Sequence, residues 1–321
     1  MRRQPNASKD PIPANISPSL PRNSLQQVRG ADPDAPEPTP PFQRITRPGY
    51  PCPVLLSVVI ITYNEEANLA LTLESVQPLV ADGKSEIIIV DSGSTDRTIE
   101  IAKSFGAKVF IEDWKGYAAQ KNSAIDKAQG DWILSLDADE ELEKGLATTI
   151  ELALRRSGDQ PETSQESKVT GYFIPRKNFF LGRWIRHGGF WPDPKLRLFR
   201  KGSARFEERL VHEDAKLISG ISGRLDGALL HHSYPTLADY IDHMNRYSSL
   251  GAEMAAAKGH TRFSVLNIVF RPIFTFIYNY IFRLGILDGR EGLLLHLNHA
   301  VYVSWKYSKA WELARNHKSR R

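Results

Sequence analysis

The stretch SVVIITYNEEANL, Ser57 to Leu69, decides how this chain folds. Its opening run is β-branched and lacks polar alternation, which predicts a strand buried on both faces, as in a parallel sheet. Its end opens a helical pattern, Asn68 to Gln77, with Leu69, Leu73 and Val76 three and four apart. Working outward, the same unit repeats. EIIIVD (Glu86–Asp91) predicts a second buried strand, and Ser94 is expected to cap the helix that carries Ile99, Ala102 and Phe105. Lys108–Ile111 predicts a third strand, Gly116 to Ala128 a helix, and DWILSL (Asp131–Leu136) a fourth strand. Leu142, Leu146, Ile150 and Leu154 then mark one apolar helix face. Strands alternating with helices imply an α/β fold with a doubly wound, mostly parallel sheet. Ligands bind such sheets at the carboxyl ends of the strands.

The regime changes on either side of this core. Residues 1–53 are rich in Pro, Asn, Ser and Asp and are expected to form a disordered leader. After a polar loop at Asp159–Lys168, Gly171–Arg176 and Leu196–Arg200 read as strands, with aromatic and basic residues between them. From Leu237 onward everything reads as helix. The expected organisation is therefore a leader (1–53), a catalytic α/β domain (54–235, in halves 54–140 and 141–235) and a helical C-terminal appendage (236–321).

The formal net charge is +5, and the cations gather from Arg176 to Arg209 and from Arg315 to Arg321. That balance favours phosphate-bearing partners or an anionic membrane surface. Nucleic acid is disfavoured, since no zinc-finger spacing or aromatic RNA-binding motif accompanies the charge. No obligate protein partner is implied. A single cysteine, Cys52, excludes an intrachain disulfide and a cysteine metal cluster, and points to a reducing cytoplasmic compartment. The start lacks the apolar core of a signal peptide, and no uncharged run of about 18 residues predicts a membrane span. Between Phe263 and Leu287, however, Phe270, Phe274, Ile277, Ile281 and Leu284 form one face, while Arg271, Thr275, Asn279 and Arg283 form a polar stripe. The expectation is an in-plane helix, peripheral on the inner face of the cytoplasmic membrane.

Three acids stand at strand ends. Asp91 closes the second strand in DSGSTD, and Asp137 and Asp139 close the fourth in DADE. Residues two apart on an extended segment point the same way, so both carboxylates of DADE reach one site. Hard oxygen ligands of that kind suit Mg²⁺ or Mn²⁺ bridging a diphosphate. A dinucleotide fold would need Gly-x-Gly-x-x-Gly after the first strand, where TYNEEANL stands instead, and no phosphate-binding P-loop occurs. Both are excluded.

Together, SVVIITYNEEANL, IIIVDSGSTDRT and GDWILSLDADE resemble the nucleotide-sugar-binding half of family 2 glycosyltransferases of the GT-A fold. Downstream, RHGGFWPDPKLRLFR, RLVHE, LLHHSYPTLADYI and ILDGREGL resemble, more loosely, the bacterial subgroup that includes lipopolysaccharide-core beta-glucosyltransferases. The resemblance implies an inverting, metal-dependent hexosyltransferase that moves sugar from a nucleotide-diphosphate donor, expected to be a UDP-sugar. The acceptor would be lipid-linked or a cell-envelope glycan. By position, Thr62, Tyr63 and Glu65 match contacts to base and ribose, and Asp91 the acid that binds the base. Asp137 matches the acid near ribose and metal, Asp139 the main metal ligand, and Lys121 a helix start aimed at the donor. Glu213 in RLVHE matches the base that deprotonates the acceptor, with Asp214 its nearest rival. Of the adjacent pair His231 and His232, at most one reaches the site; the resemblance makes His231 a candidate for completing the shell of metal and diphosphate. Trp184, Arg186, His187, Phe190, Trp191, Arg197 and Arg200 combine rings with cations and suit an acceptor site. The alternatives are a sugar nucleotidyltransferase, whose glycine-rich loop is absent, and a non-catalytic nucleotide-sugar-binding module, against which the intact acids argue.

Overall fold

The computed structural model describes residues 55–81, 83–159, 169–207 and 214–318. The leader expected over residues 1–53 lies outside the described residues. The first half is built as anticipated: β1 (Leu56–Thr62), α1 (Leu69–Val80), β2 (Glu86–Asp91), α2 (Thr98–Ser104), β3 (Lys108–Ile111), α3 (Tyr117–Lys127) and β4 (Trp132–Asp137). Next come β5 (Glu140–Leu142) and α4 (Leu146–Asp159). The second half adds β6 (Val169–Phe180), β7 (Arg183–Trp184), β8 (Asp193–Arg200), β9 (Ala204–Phe206), β10 (Ala215–Leu217), β11 (Ile221–Arg224) and β12 (Leu229–Tyr234). Helices α5 (Leu237–Ala257), α6 (Arg271–Ile277) and α7 (Gly289–Lys318) complete the chain.

One sheet joins both halves in the order β3-β2-β1-β4-β8-β6-β12-β5. Its first four strands are parallel, and β8 turns antiparallel between β4 and β6. This is the doubly wound sheet with a helical C-terminal region that the sequence implied. Burial explains it: Val58 and Ile60 point into the layer beneath α1 and α4, while Val59 points into the layer beneath α3. Both layers are dry, so the strand is apolar without alternation. The register then matters for function. Thr62 pairs with Asp91 and Ile61 with Asp137, which brings three strand ends level. At the other side, His231 on β12 pairs with Asn178 on β6 and with Glu140 on β5.

Three local expectations are corrected. Leu142 belongs to β5, not to the helix that begins at Leu146, because residues 140–142 pair with β12. Ser94 does not cap α2: its hydroxyl donates to Asp91, and the Thr98 amide is taken instead by the Asp96 carboxylate at 3.0 Å. The single helix expected over 263–287 is interrupted by π-helical turns at Leu266–Phe270 and Tyr278–Phe282 on either side of α6.

Leu134 is fully buried in the middle of β4, flanked by β1 and β8. Leu134→Ala should cost about 2–5 kcal/mol of folding free energy, measured by urea denaturation. A loss below about 1 kcal/mol would contradict its placement at the sheet centre.

Candidate active site

The level strand ends open into a cleft of about 1440 Å³ lined from β1, β4, β6, β8 and β12. Asp91 stands at its base but not in it. The carboxylate is wholly buried and accepts four hydrogen bonds: from the Thr62 hydroxyl (2.7 Å), the Ser94 hydroxyl (2.6 Å), and the Gly93 and Ser94 amides (2.9 and 2.7 Å). Thr62 is likewise turned inward, although its residue borders the cleft. Asp91 therefore orders the loop that follows β2, while Tyr63 and Glu65 face the cleft.

Asp137 is the meeting point of three cations. Lys121 reaches one carboxylate oxygen at 2.7 Å, Arg197 the other at 2.5 Å, and Arg176 stands 3.9 Å away. Burial opposes its charge, but Arg197, Lys121 and Arg176 outweigh burial and hold the carboxyl well below the ordinary carboxylate range. Beneath it lies Glu140, wholly buried, which accepts from Arg197 (2.6 Å) and Arg176 (3.2 Å) and, through its other oxygen, from the Asp137 amide (3.0 Å). Lys121 also rests over the Phe206 ring, 5.1 Å from its centre.

Asp139 faces a different group. Its carboxylate lies 3.2 Å from Nε2 of His231, whose Nδ1 is 2.8 Å from the Asn178 side-chain oxygen and 2.6 Å from the Ser233 hydroxyl. Burial pushes the Asp139 carboxyl up, and the facing imidazole more than offsets it, leaving the carboxyl lowered. His232 lies 3.1 Å from Glu141, yet it borders the cleft as His231 does, so both members of the pair reach it where one was expected.

The ring-and-cation group divides. Trp184 meets Lys177 and Arg186, at 4.7 and 4.2 Å from its ring centre, with Trp191 edge-on at 5.3 Å. Phe190 lines the cleft. Arg197 leaves this group for Asp137, and Arg200 turns to the Trp132 ring and the Ser157 carbonyl. His187 pairs with Asp288. Glu213 lies outside the described residues; its neighbour Asp214 borders the cleft and is held 3.1 Å from Lys195.

Sequence reading missed Glu140, Arg176 and Asn178 as site residues. A period-of-two signal was present: Arg176 and Asn178 alternate along β6, and Asp193, Lys195 and Arg197 along β8, so each set turns one face to the cleft. Glu65 carries a further mark of the site. Burial raises its carboxyl to about 6, with Asp139, Asp96 and Asp137 adding to the rise and Asn68 opposing it. The folded protein thus binds this proton more tightly than the unfolded chain. The stabilisation is present below pH 4.5 and lost as pH rises through about 6. Glu65→Gln should cancel that slope, so its stability relative to the wild type should rise by about 1–2 kcal/mol between pH 4.5 and 7, read from paired urea titrations. A difference that does not change with pH would contradict the raised carboxyl.

The glycosyl transferase family 2 model matches residues 57–202. The chain is similar to the lipopolysaccharide core biosynthesis glycosyltransferase LpsC of Rhizobium meliloti, with 30% identity over 264 residues, covering 80% of this chain and 92% of LpsC. An uncharacterised glycosyltransferase of Rickettsia typhi is 30% identical over 269 residues, covering 81% of this chain and 87% of its own. Among solved structures, residues 1–349 of Staphylococcus aureus TarS, in complex with UDP, are 18% identical with a TM-score of 0.41, covering 82% of this chain and 92% of that one. With the strand-end acids in place and a likeness to LpsC that runs through most of both chains, this protein is a glycosyltransferase of family 2.

Proposed function

We propose that the chain transfers a hexose, with inversion, from a nucleotide-diphosphate sugar to a lipid-linked or cell-envelope glycan acceptor, using a divalent cation. The observation that carries this reading is the pairing of Asp139 with His231 beside the cation-rich surround of Asp137. The Asp139 carboxylate suits Mn²⁺ or Mg²⁺, and the imidazole nitrogen of His231 3.2 Å away favours Mn²⁺ of the two. Among the described residues no three His, Cys, Asp or Glu side chains converge. Asp139 and His231 would hold the ion. Bound there, the ion supplies Lewis-acid neutralisation of the charge on the leaving diphosphate.

The chain's own groups do the rest. Asn178 and Ser233 fix the His231 ring by its Nδ1 edge, which turns Nε2 toward Asp139. Lys121, Arg176 and Arg197 offset the charges of Asp137, Glu140 and Asp193, which would otherwise repel a diphosphate at the cleft floor. In the transfer, the acceptor hydroxyl oxygen bonds to the anomeric carbon as the bond to the diphosphate oxygen breaks. The hydroxyl proton passes to a carboxylate, assigned to Glu213 by resemblance, with Asp214 its rival. Tyr63, Glu65 and the loop ordered by Asp91 would receive the nucleoside end, and a uridine donor is what the resemblance to family 2 implies. The likeness to LpsC supports a place in lipopolysaccharide core assembly. Its setting would be the inner face of the cytoplasmic membrane. Among the described residues no helix is long and apolar enough to cross a membrane.

Asp139→Asn should reduce Mn²⁺-dependent release of nucleotide diphosphate on the order of 100-fold or more while leaving the melting temperature near that of the wild type. Wild-type turnover in the variant would remove Asp139 from the metal site. Glu213→Gln should lower kcat by about 100-fold or more with donor affinity unchanged. If turnover is undiminished, the base is Asp214.

A further inference from the structure

The segment between α5 and α7 is turned inside out. The middle of its polar stripe borders α7 while its cations stay exposed: the Arg271 guanidinium donates to the Tyr307 hydroxyl and lies over that ring, and the Ser304 hydroxyl donates to the Ile268 carbonyl. Thr275 and Asn279, on the same stripe, are half-buried. The apolar face is left open. Leu266, Phe274 and Phe282 are 68%, 65% and 72% exposed, and Phe270, Ile273 and Ile281 are more than half exposed. On α7, Leu293, Leu297 and Val301 continue as an exposed stripe at intervals of four. An open apolar surface of this extent marks a binding face.

Charge identifies what covers it. From Met254 to Leu287 the chain carries Lys258, Arg262, Arg271 and Arg283, all exposed, and no acidic residue. A second copy meeting this face about a twofold axis would set cations against cations. An anionic bilayer supplies headgroups for the cations and acyl chains for the rings.

The end of the segment is tied to the cleft wall. The Arg283 carbonyl accepts the Gly188 amide at 2.8 Å. The buried Asp288 carboxylate accepts the amides of Arg186 (3.1 Å) and His187 (2.8 Å) and lies 3.0 Å from the His187 ring. The seam is tight at Gly188, where φ is +65° and a Cβ would stand 2.1 Å from the His296 ring. Gly189 and Phe190 line the cleft itself.

We propose that residues 263–287 form a lipid-inserting wedge that seats the chain on an anionic bilayer, and that Asp288 latches this wedge to the wall of the cleft. The docking stands on surface and charge alone; its use in presenting an acceptor rests on the transferase reading. The test is flotation of the full chain with phosphatidylcholine vesicles carrying increasing phosphatidylglycerol. Binding should rise with phosphatidylglycerol and fall with salt, and Phe270→Glu with Phe274→Glu should weaken it on the order of 100-fold. An environment-sensitive dye at Phe274→Cys, in a Cys52→Ser background, should shift to the blue on vesicles, while the same dye at Glu100→Cys should not. On vesicles, hydrogen exchange at residues 186–188 should slow in the wild type but not in Asp288→Ala. No flotation on strongly anionic vesicles, or flotation indifferent to the Phe270 and Phe274 substitutions, overturns the wedge. So does a dye at Phe274→Cys already blue-shifted in a lipid-free dimer. Unchanged exchange at residues 186–188 in the wild type overturns the latch. None of these readouts involves sugar transfer, so a chain that fails as a transferase can still pass them.

Discussion

The guanidinium of Arg197, buried between Asp137 and Glu140, is the interaction on which the site depends. It sits where a parallel half-sheet meets an antiparallel one, because β8 delivers it across β4. Taking one cation and two carboxylates out of water costs several kcal/mol per ion, so the cluster is a poor way to gain stability. What it does is fix position. Glu140 is satisfied on both oxygens, one by Arg197 and Arg176 and the other by the Asp137 amide, so the turn carrying Asp137 and Asp139 has one low-energy arrangement. That turn in turn sets Asp139 against His231, since β5 and β12 pair through Glu140 and His231. The metal-binding geometry we propose is downstream of this salt bridge, whose Asp137 and Arg197 also border the cleft.

Legibility in the sequence followed burial. Strands β1, β2 and β4 were readable because two dry faces demand unbroken apolar runs, and the acids at their ends were readable because a strand end is where this architecture exposes side chains. β5 was not, since three residues carry no periodic signal and its pairing partner lies far down the chain. The counterions were hidden for another reason. Arg176 and Asn178 flank Lys177, and Asp193, Lys195 and Arg197 follow at every second position inside a stretch already crowded with cations, so a basic composition masked a one-sided pattern. Ser94 misled because Ser serves equally as a helix cap and as a donor to a neighbouring carboxylate. Asp91 supplied the second role.

The C-terminal region carries the opposite lesson. Its two faces were plain from spacing, but spacing says nothing about which face meets the protein. The structure turns the stripe of Arg271 and Thr275 toward α7 and leaves the rings outside. Arg271 reaches Tyr307, a partner 36 positions away that no local pattern announces.

The saturated carboxylate of Asp91 has a thermodynamic consequence for recognition. Its bonds to Gly93 and Ser94, together with those from the Asn64 and Thr95 amides to Ser94 and Asn64, leave the rim of the cleft already frozen before any ligand arrives. A flexible rim would have to surrender backbone and side-chain freedom each time a nucleoside docked, which subtracts from affinity. Here that loss occurs once, during folding. The rim is a template rather than a clasp, so discrimination among nucleosides would come from shape and fixed dipoles, with association little slowed by rearrangement.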